Sequence, residues 1–175
     1  MIAGSRLDLQ PLTAPEAARS LSAAGLDGPV FAEGYPSEFA TRVLRLVALH
    51  PSLDDDSDEA SDLGPWLVLR RTDRAVIGAV TCARGEDASV LTVGYDIAPP
   101  CRGQGYATEA LSAVVEHLLG LPEVRRVHAE TTEGHTASRR VMEKAGLRWQ
   151  RHEVVRDVGR EVSLVHYAID RPAPL

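Results

Sequence analysis

Ile97-Ala98-Pro99-Pro100-Cys101-Arg102-Gly103-Gln104-Gly105-Tyr106-Ala107-Thr108 is the stretch from which the rest of the chain can be read. Upstream, Ser89 to Ile97 is rich in β-branched residues and reads as a strand, which Pro99 and Pro100 end. Downstream, Ala110, Leu111, Val114, Val115, Leu118 and Leu119 recur at helical spacing, until Gly120 and Pro122 stop the helix. Glycines at 103 and 105 stand between the two elements. A helix N-terminus leaves backbone N–H groups unpaired and carries partial positive charge, so a phosphate there accepts several bonds at once. Glycine lets the backbone approach and turn its amides inward, and Arg102 adds a charged planar fork. The stretch predicts a strand, a phosphate cradle and a helix.

Spacing alone leaves the owner of that phosphate open. A Walker loop needs Lys-Ser or Lys-Thr after its second glycine, and neither follows. The dinucleotide fingerprint of a nucleotide-binding oxidoreductase needs a third glycine, where Ala107 stands, and a later acidic ribose ligand. A tight strand-to-helix turn that binds nothing is the plainest alternative.

Toward the N-terminus, Ala75 to Thr81 and Trp66 to Arg70 read as strands joined by the turn Thr72-Asp73-Arg74, an antiparallel hairpin. Before them Asp54 to Asp62 is an acidic run without apolar period, expected as a solvated loop. Phe39, Val43, Leu46 and Val47 predict an amphipathic helix from Gly34-Tyr35-Pro36-Ser37 to His50-Pro51. Thr13-Ala14-Pro15-Glu16 carries the cap, first-turn proline and N3 glutamate of another helix start, ending near Ala24 and Gly25. Arg6 to Leu12 alternates as a first strand. Toward the C-terminus, Val124 to Thr131 is a strand, and Thr136 to Ala145 a short helix ended by Gly146. Gln150 to Val155 and Val162 to Ile169 are strands joined through Asp157-Val158-Gly159, and Arg171 to Leu175 is a tail expected to fray. The central strand-helix-strand unit implies a parallel pair. The fold class expected is α/β: one domain over residues 1–175, with its core in about 5–170 and a mixed, mostly antiparallel sheet.

Composition narrows the function. The 175 residues suit a single domain. With 19 basic and 25 acidic residues the net charge is −6, which argues against a nucleic-acid binder needing a basic face. No apolar run is long enough for a membrane span, and Met1 to Arg6 lacks the order of a signal peptide. Cys82 and Cys101 form no metal-ligand pattern, so no metal is expected, and they read as free thiols of a reducing cytoplasm.

Arg102-Gly103-Gln104-Gly105-Tyr106-Ala107 is similar to the Arg/Gln-x-x-Gly-x-Gly/Ala signature of the GNAT N-acetyltransferase superfamily. The longer run from Val93 to Leu111 resembles the branch that contains the ribosomal-protein N-terminal acetyltransferases. A second block, His135-Thr136-Ala137-Ser138 to Lys144-Ala145-Gly146-Leu147, resembles the family's Asn-x-x-Ser…Lys-x-Gly-Phe segment. The strand order also matches. The similarity spans about residues 5 to 170 and is specific from 90 to 147.

The resemblance implies acetyl-CoA as acyl donor and a primary amine as acceptor, in a small molecule or at a protein N-terminus. It implies two parallel strands, here 89–97 and 124–131, that splay apart around the pantetheine arm. Backbone groups of Ile97 would bond pantetheine. Arg102, Gly103, Gln104, Gly105, Tyr106, Ala107 and Thr108 would hold the pyrophosphate, and His135 and Ser138 would flank the thioester. The amine would attack directly, with its proton going to a carboxylate. Asp96 and Glu130 are the candidates, each equally readable as an ion-pair partner. Glu109 reads as structural. His117 and His128 read as ordinary surface residues, Tyr167 as core, and His152 and His166 as lying where an acceptor could reach. A homodimer is also compatible with the family.

Two positions depart from the pattern. His135 replaces the usual Asn. Met142 stands where many members carry a Tyr that protonates the departing thiolate; Ser138 matches the Ser that some members of the branch use instead, so the resemblance implies it as the donor, with a helix serine bonding back to a carbonyl as the equal alternative. These departures keep a second reading open: a silent acyl-CoA-binding or sensing domain.

Overall fold

The cap read at Thr13 forms as its spacing predicts. Glu16 N–H donates to Thr13 Oγ1 (3.4 Å) and Thr13 N–H to Glu16 Oε2 (3.1 Å), so each fills a donor of the other. The structure, a computed structural model, describes residues 1–21, 29–49 and 63–172. Its elements are β1 (Ile2–Ala3), β2 (Leu7–Pro11), α1 (Ala14–Leu21), α2 (Glu38–Leu49), β3 (Trp66–Arg70), β4 (Val76–Arg84) and β5 (Val90–Ile97). After a 3₁₀ turn at Pro99–Cys101 come α3 (Tyr106–Gly120), β6 (Arg126–Thr132), α4 (Thr136–Lys144), β7 (Arg148–Asp157) and β8 (Arg160–Asp170). The expected helix ends at Gly25 and His50-Pro51, the acidic run 54–62 and residues 173–175 lie outside the described residues.

The described strands make one eight-stranded sheet, ordered β1-β2-β3-β4-β5-β6-β8-β7. Neighbouring strands are antiparallel except β5 and β6, the parallel pair the sequence implied. That pair holds for three rungs only: Val90 with Arg126, Leu91 with Val127 and Thr92 with His128. Beyond them β5 stays on β4 (Asp96 with Ala79, Ile97 with Gly78), while β6 stays on β8 (Glu130 with His166, Thr132 with Leu164). A gap opens between two strands that each keep an outer partner.

Alternation decides what faces the gap. Thr92, Gly94 and Asp96 share one face with His128, Glu130 and His166. The approach to α2 lies on this face: Tyr35 and Ser37 bond Asp96, and the Phe39 ring meets the position a Gly94 side chain would take. The other face carries Tyr95 and Tyr167, whose hydroxyls bond Ser138 and Glu143 of α4. The core runs from Leu7, Leu9 and Trp66 through Ile77, Leu91 and Val127 to the buried side of α3, Ala110, Leu111, Val114, Val115 and Leu118.

Several readings are corrected. β1 was not anticipated, because two residues carry no period. In α2 the buried side is Ala40, Leu44 and Val47, and Leu46 is exposed, since Ala40 and Leu44, four apart, set the inward stripe. His117 is half-buried, edge-on to Trp66. Arg171 does not fray: its N–H bonds Arg125 O (2.8 Å), and its guanidinium bonds the carbonyls of Leu119 (3.0 Å) and Pro122 (2.9 Å). Among the described residues no helix is long and apolar enough to cross a membrane.

Candidate active site

Gly105 is the N-cap of α3 at φ 82°, and Gly103 sits at φ 75°. A Cβ on Gly103 would meet nothing within 4 Å, and one on Gly105 only Arg6 Nη2 at 3.5 Å. These glycines are therefore required by conformation rather than by crowding. They let the loop double back and leave the first-turn N–H groups of α3 without a side-chain cap. Arg102 tightens the turn, its Nε donating to Ile97 O at 2.9 Å. Gln104 is turned outward: its Nε2 bonds Pro100 O (3.0 Å), and its side chain is not part of the cavity wall. Behind the loop, Arg6 lies 4.5 Å over the Tyr106 ring and bonds Glu109 (2.8 Å), tying the N-terminal strands to α3. Glu109 is structural, as read.

In front of this loop lies a cavity of about 580 Å³. Its walls are Tyr95, Asp96 and Ile97 at the end of β5, the loop from Cys101 through Arg102, Gly103 and Gly105 to Thr108, and His135, Ala137, Ser138, Arg140, Val141 and Lys144 from α4. The two blocks of sequence thus meet across one cleft, which offers uncapped amides and the cations Arg102, Arg140 and Lys144 to an anionic ligand. Ser138 Oγ is 2.8 Å from Tyr95 Oη, which also donates to Ser138 O (3.1 Å). Burial pushes the Tyr95 phenol up and its bond to Ser138 opposes the shift, leaving it above the usual range. His135 occupies the N-cap position of α4 without a side-chain capping bond, its Nδ1 lying 3.2 Å from Thr131 Oγ1 instead. Met142 is fully buried and does not face the cleft.

Asp96 has both carboxylate oxygens engaged, by Tyr35 Oη (3.0 Å) and by Ser37 Oγ. Burial raises its pKa, and the bonds from Ser37 and Tyr35 only partly offset that. Glu130 does not line the cleft. It stands on the opposite face, half-exposed beside the gap, with Oε2 3.4 Å from His166 Nδ1. His128, expected on a plain surface, is half-buried here, with Nε2 3.0 Å from His166 Nδ1. Donor atoms of His128, Glu130 and His166 lie within 4.8 Å of one another, a group worth testing as an ion site. The ring centroids, however, are 5.2 Å apart against 3.0 Å between the nitrogens. The two ring nitrogens are thus within hydrogen-bond reach of each other, with the ring planes inclined by 28°.

The family model described as an acetyltransferase (GNAT) domain matches residues 6–148. The chain belongs to the GNAT acetyltransferases. It is accordingly an acetyl-CoA-dependent acyltransferase. A GNAT-family acetyltransferase from Bacillus anthracis is similar in fold, with a TM-score of 0.71 at 18% identity over 97% of this chain and 98% of that one. The ribosomal L7/L12 alpha-N-protein acetyltransferase in complex with coenzyme A superposes with a TM-score of 0.69 at 15% identity, covering 97% and 96%. A chimera of spermidine N-acetyltransferase from Vibrio cholerae gives 0.67 at 17%, covering 95% and 96%. A comparison with curated proteins finds no match.

For this GNAT acetyltransferase the sequence reading missed Tyr95, Arg140 and Lys144 as cleft residues. The signal for Tyr95 was present, since Gly94-Tyr95 belongs to the quoted motif. Arg140 and Lys144 are four apart on α4 and so share a helix face, but nothing local says which face meets the cleft. The pairing of His128 with His166 depends on the register of β6 with β8, which alternation alone leaves free.

Proposed function

We propose that this acetyltransferase moves the acetyl group from acetyl-CoA to the primary amine of a small molecule or a protein N-terminus by direct attack. The reading is supported above all by the gap between β5 and β6. It lies between the cleft on one face and a cluster of proton acceptors on the other. The loop amides from Gly103 to Thr108, with Arg102, Arg140 and Lys144, hold the pyrophosphate. Ile97 O accepts one bond among the described residues, from Arg102, and its second lone pair suits a pantetheine amide. Backbone N–H groups near Ile97 stabilise the oxyanion formed on attack.

Glu130 is the better placed of the two candidate bases. It borders the gap and is partly exposed, whereas both oxygens of Asp96 hold the approach to α2. Asp96 acts instead as the anchor that sets the acceptor-side wall. Ser138 donates a proton to the departing thiolate, whose ordinary pKa is about 8.5, and the Tyr95 hydroxyl behind Ser138 resupplies it. Met142 leaves no other donor at that position of α4.

Titration calorimetry with acetyl-CoA, CoA and NAD, followed by a mass-spectrometric screen of amines and peptide N-termini, tests the proposal. Micromolar acetyl-CoA binding without an NAD signal, and a product heavier by one acetyl group, are expected. Absence of acetyl-CoA binding would overturn it.

A further inference from the structure

Two residues apart on β6, His128 and Glu130 share one face of the sheet, and the β6–β8 register sets His166 directly opposite Glu130. Donor atoms of the three side chains lie within 4.8 Å of one another. His128 Nε2 is 3.0 Å from His166 Nδ1, and Glu130 Oε2 is 3.4 Å from that same nitrogen. His166 is only 3% exposed, whereas Glu130 is half-exposed beside the gap. Two imidazoles and a carboxylate therefore converge on one point, on the sheet face opposite the cleft.

We propose that His128 Nε2, His166 Nδ1 and a carboxylate oxygen of Glu130 form a three-ligand site for a zinc-class divalent ion, with the fourth position left to water. Ligand atoms about 2.1 Å from a tetrahedral ion stand about 3.4 Å apart. The Glu130–His166 spacing already has that value, and the two imidazole nitrogens need to part only slightly. Two nitrogens and one oxygen suit zinc and its transition-metal neighbours, whereas magnesium and calcium take oxygen ligands.

Each imidazole also has a polar neighbour for the nitrogen that the ion would not use. His128 Nδ1 is 3.4 Å from Thr92 Oγ1 and can carry its ring proton there. His166 Nε2 has no aligned hydrogen bond among the described residues; it faces Glu153 Oε2 at 3.1 Å. A carboxylate or hydroxyl behind each ring is the usual outer shell of metal-bound histidine, fixing the tautomer and the ring. Arg151 neutralises Glu153 at 2.5 Å, so its own charge does not oppose a cation. Without an ion, one proton shared between His128 and His166 leaves the Glu130 oxygen facing a nitrogen lone pair. A divalent ion satisfies all three acceptors at once, and each neutral imidazole keeps one proton. The cysteines carry no such pattern, and the histidines show it only through strand register. An ion here takes the carboxylate that the proposed function uses as base, so it should inhibit acetyl transfer reversibly. That consequence rests on the acetyl-transfer reading; the site itself does not.

Titration calorimetry of the full chain with zinc chloride, without acetyl-CoA, tests the site. One equivalent should bind with a micromolar or tighter Kd, and magnesium should not compete. NMR of the protein labelled at histidine nitrogen should show zinc on His128 Nε2 and His166 Nδ1, with the exposed His152 unmoved. Because His166 is buried, the variants are made at its less buried neighbours. Glu153→Gln should weaken zinc binding about tenfold or more and His128→Gln by more than that, with acetyl-CoA affinity unchanged in both. No zinc binding, zinc shifts at His152 with His128 and His166 unmoved, or a Kd unchanged in His128→Gln would overturn the site. With the best amine from the screen, one equivalent of zinc should abolish turnover, and EDTA should restore it. If zinc binds as described and turnover is unchanged, the site stands and Glu130 is not the base. Loss of acetyl-CoA binding in the zinc-free protein would instead sink the acetyl-transfer reading.

Discussion

Gly105 shows how a single atom separates binding from folding. At φ 82° it needs no room for a Cβ, only the freedom to adopt that angle. Gly105→Asp therefore costs the fold about 1–2 kcal/mol of left-handed strain, which Asp tolerates better than most residues. The new carboxylate would stand against the pyrophosphate, and a like-charge juxtaposition costs several kcal/mol. Calorimetry should show acetyl-CoA binding weakened at least about 100-fold while the melting transition stays cooperative; tight binding in this variant would show that the loop does not hold the phosphates. Ser138 is the second residue whose role can be isolated. Ser138→Ala should lower kcat several-fold more than it weakens CoA binding, and Tyr95→Phe should act in the same direction through its 2.8 Å bond. Unchanged turnover in Ser138→Ala would remove it from the mechanism. Local chemistry made Ser138 legible, because it sits in a motif. Tyr95 became a partner only when β5 and α4 met across the cleft.

At the scale of elements, the turn between β7 and β8 carries a visible cost. Val158 and Gly159 both have positive φ, 46° and 77°, the requirement of a two-residue primed turn that favours Asn-Gly. Val158 is β-branched and 96% exposed, so its strain is repaid by no packing. Val158→Asn should stabilise the protein by about 1 kcal/mol, raising Tm by about 2–4 °C for a chain of this length; a lower Tm in scanning calorimetry would contradict that account of the turn. The clamp between the N-terminal strands and α3 titrates. Burial raises the Glu109 pKa, but bonds from Arg6 N–H, the Arg6 guanidinium and Ser5 outweigh it and hold the carboxyl below its ordinary 4.5. Because the folded value is depressed, the stabilisation is present above pH 4.5 and is lost as pH falls through the folded pKa. Glu109→Gln should flatten the acid limb of a Tm-against-pH curve and leave its shape near neutrality unchanged. Elements with a local signature were readable in advance: the Thr13–Glu16 cap, the prolines after β5, Gly146 after α4. Leu46 was misplaced because the face of α2 is chosen by what it packs on.

At the scale of the molecule, the mixed sheet followed from one inference, that a strand, a helix and a strand in the middle of the chain make a parallel pair. Its decisive feature did not follow from the residues alone. Strands β5 and β6 part after Thr92 and His128 because β4 and β8 hold their outer edges, and no periodicity within 90–97 or 126–132 encodes where pairing stops. Among the described residues the splay leaves the inner backbone edges of both strands without strand partners over the length of the gap. Unpaired buried amides and carbonyls are costly, so a ligand that fills the gap and bonds them should stabilise the whole sheet, not the loop alone. Acetyl-CoA at one hundred times its Kd contributes about 2.7 kcal/mol by mass action, which is about 5–10 °C in Tm at this chain length. Hydrogen exchange measured alongside should show protection gained at β5 and β6 beyond Thr92 and His128 as well as at residues 103–108. Protection confined to 103–108, with the strands unchanged, would mean that the pantetheine arm does not lie between them.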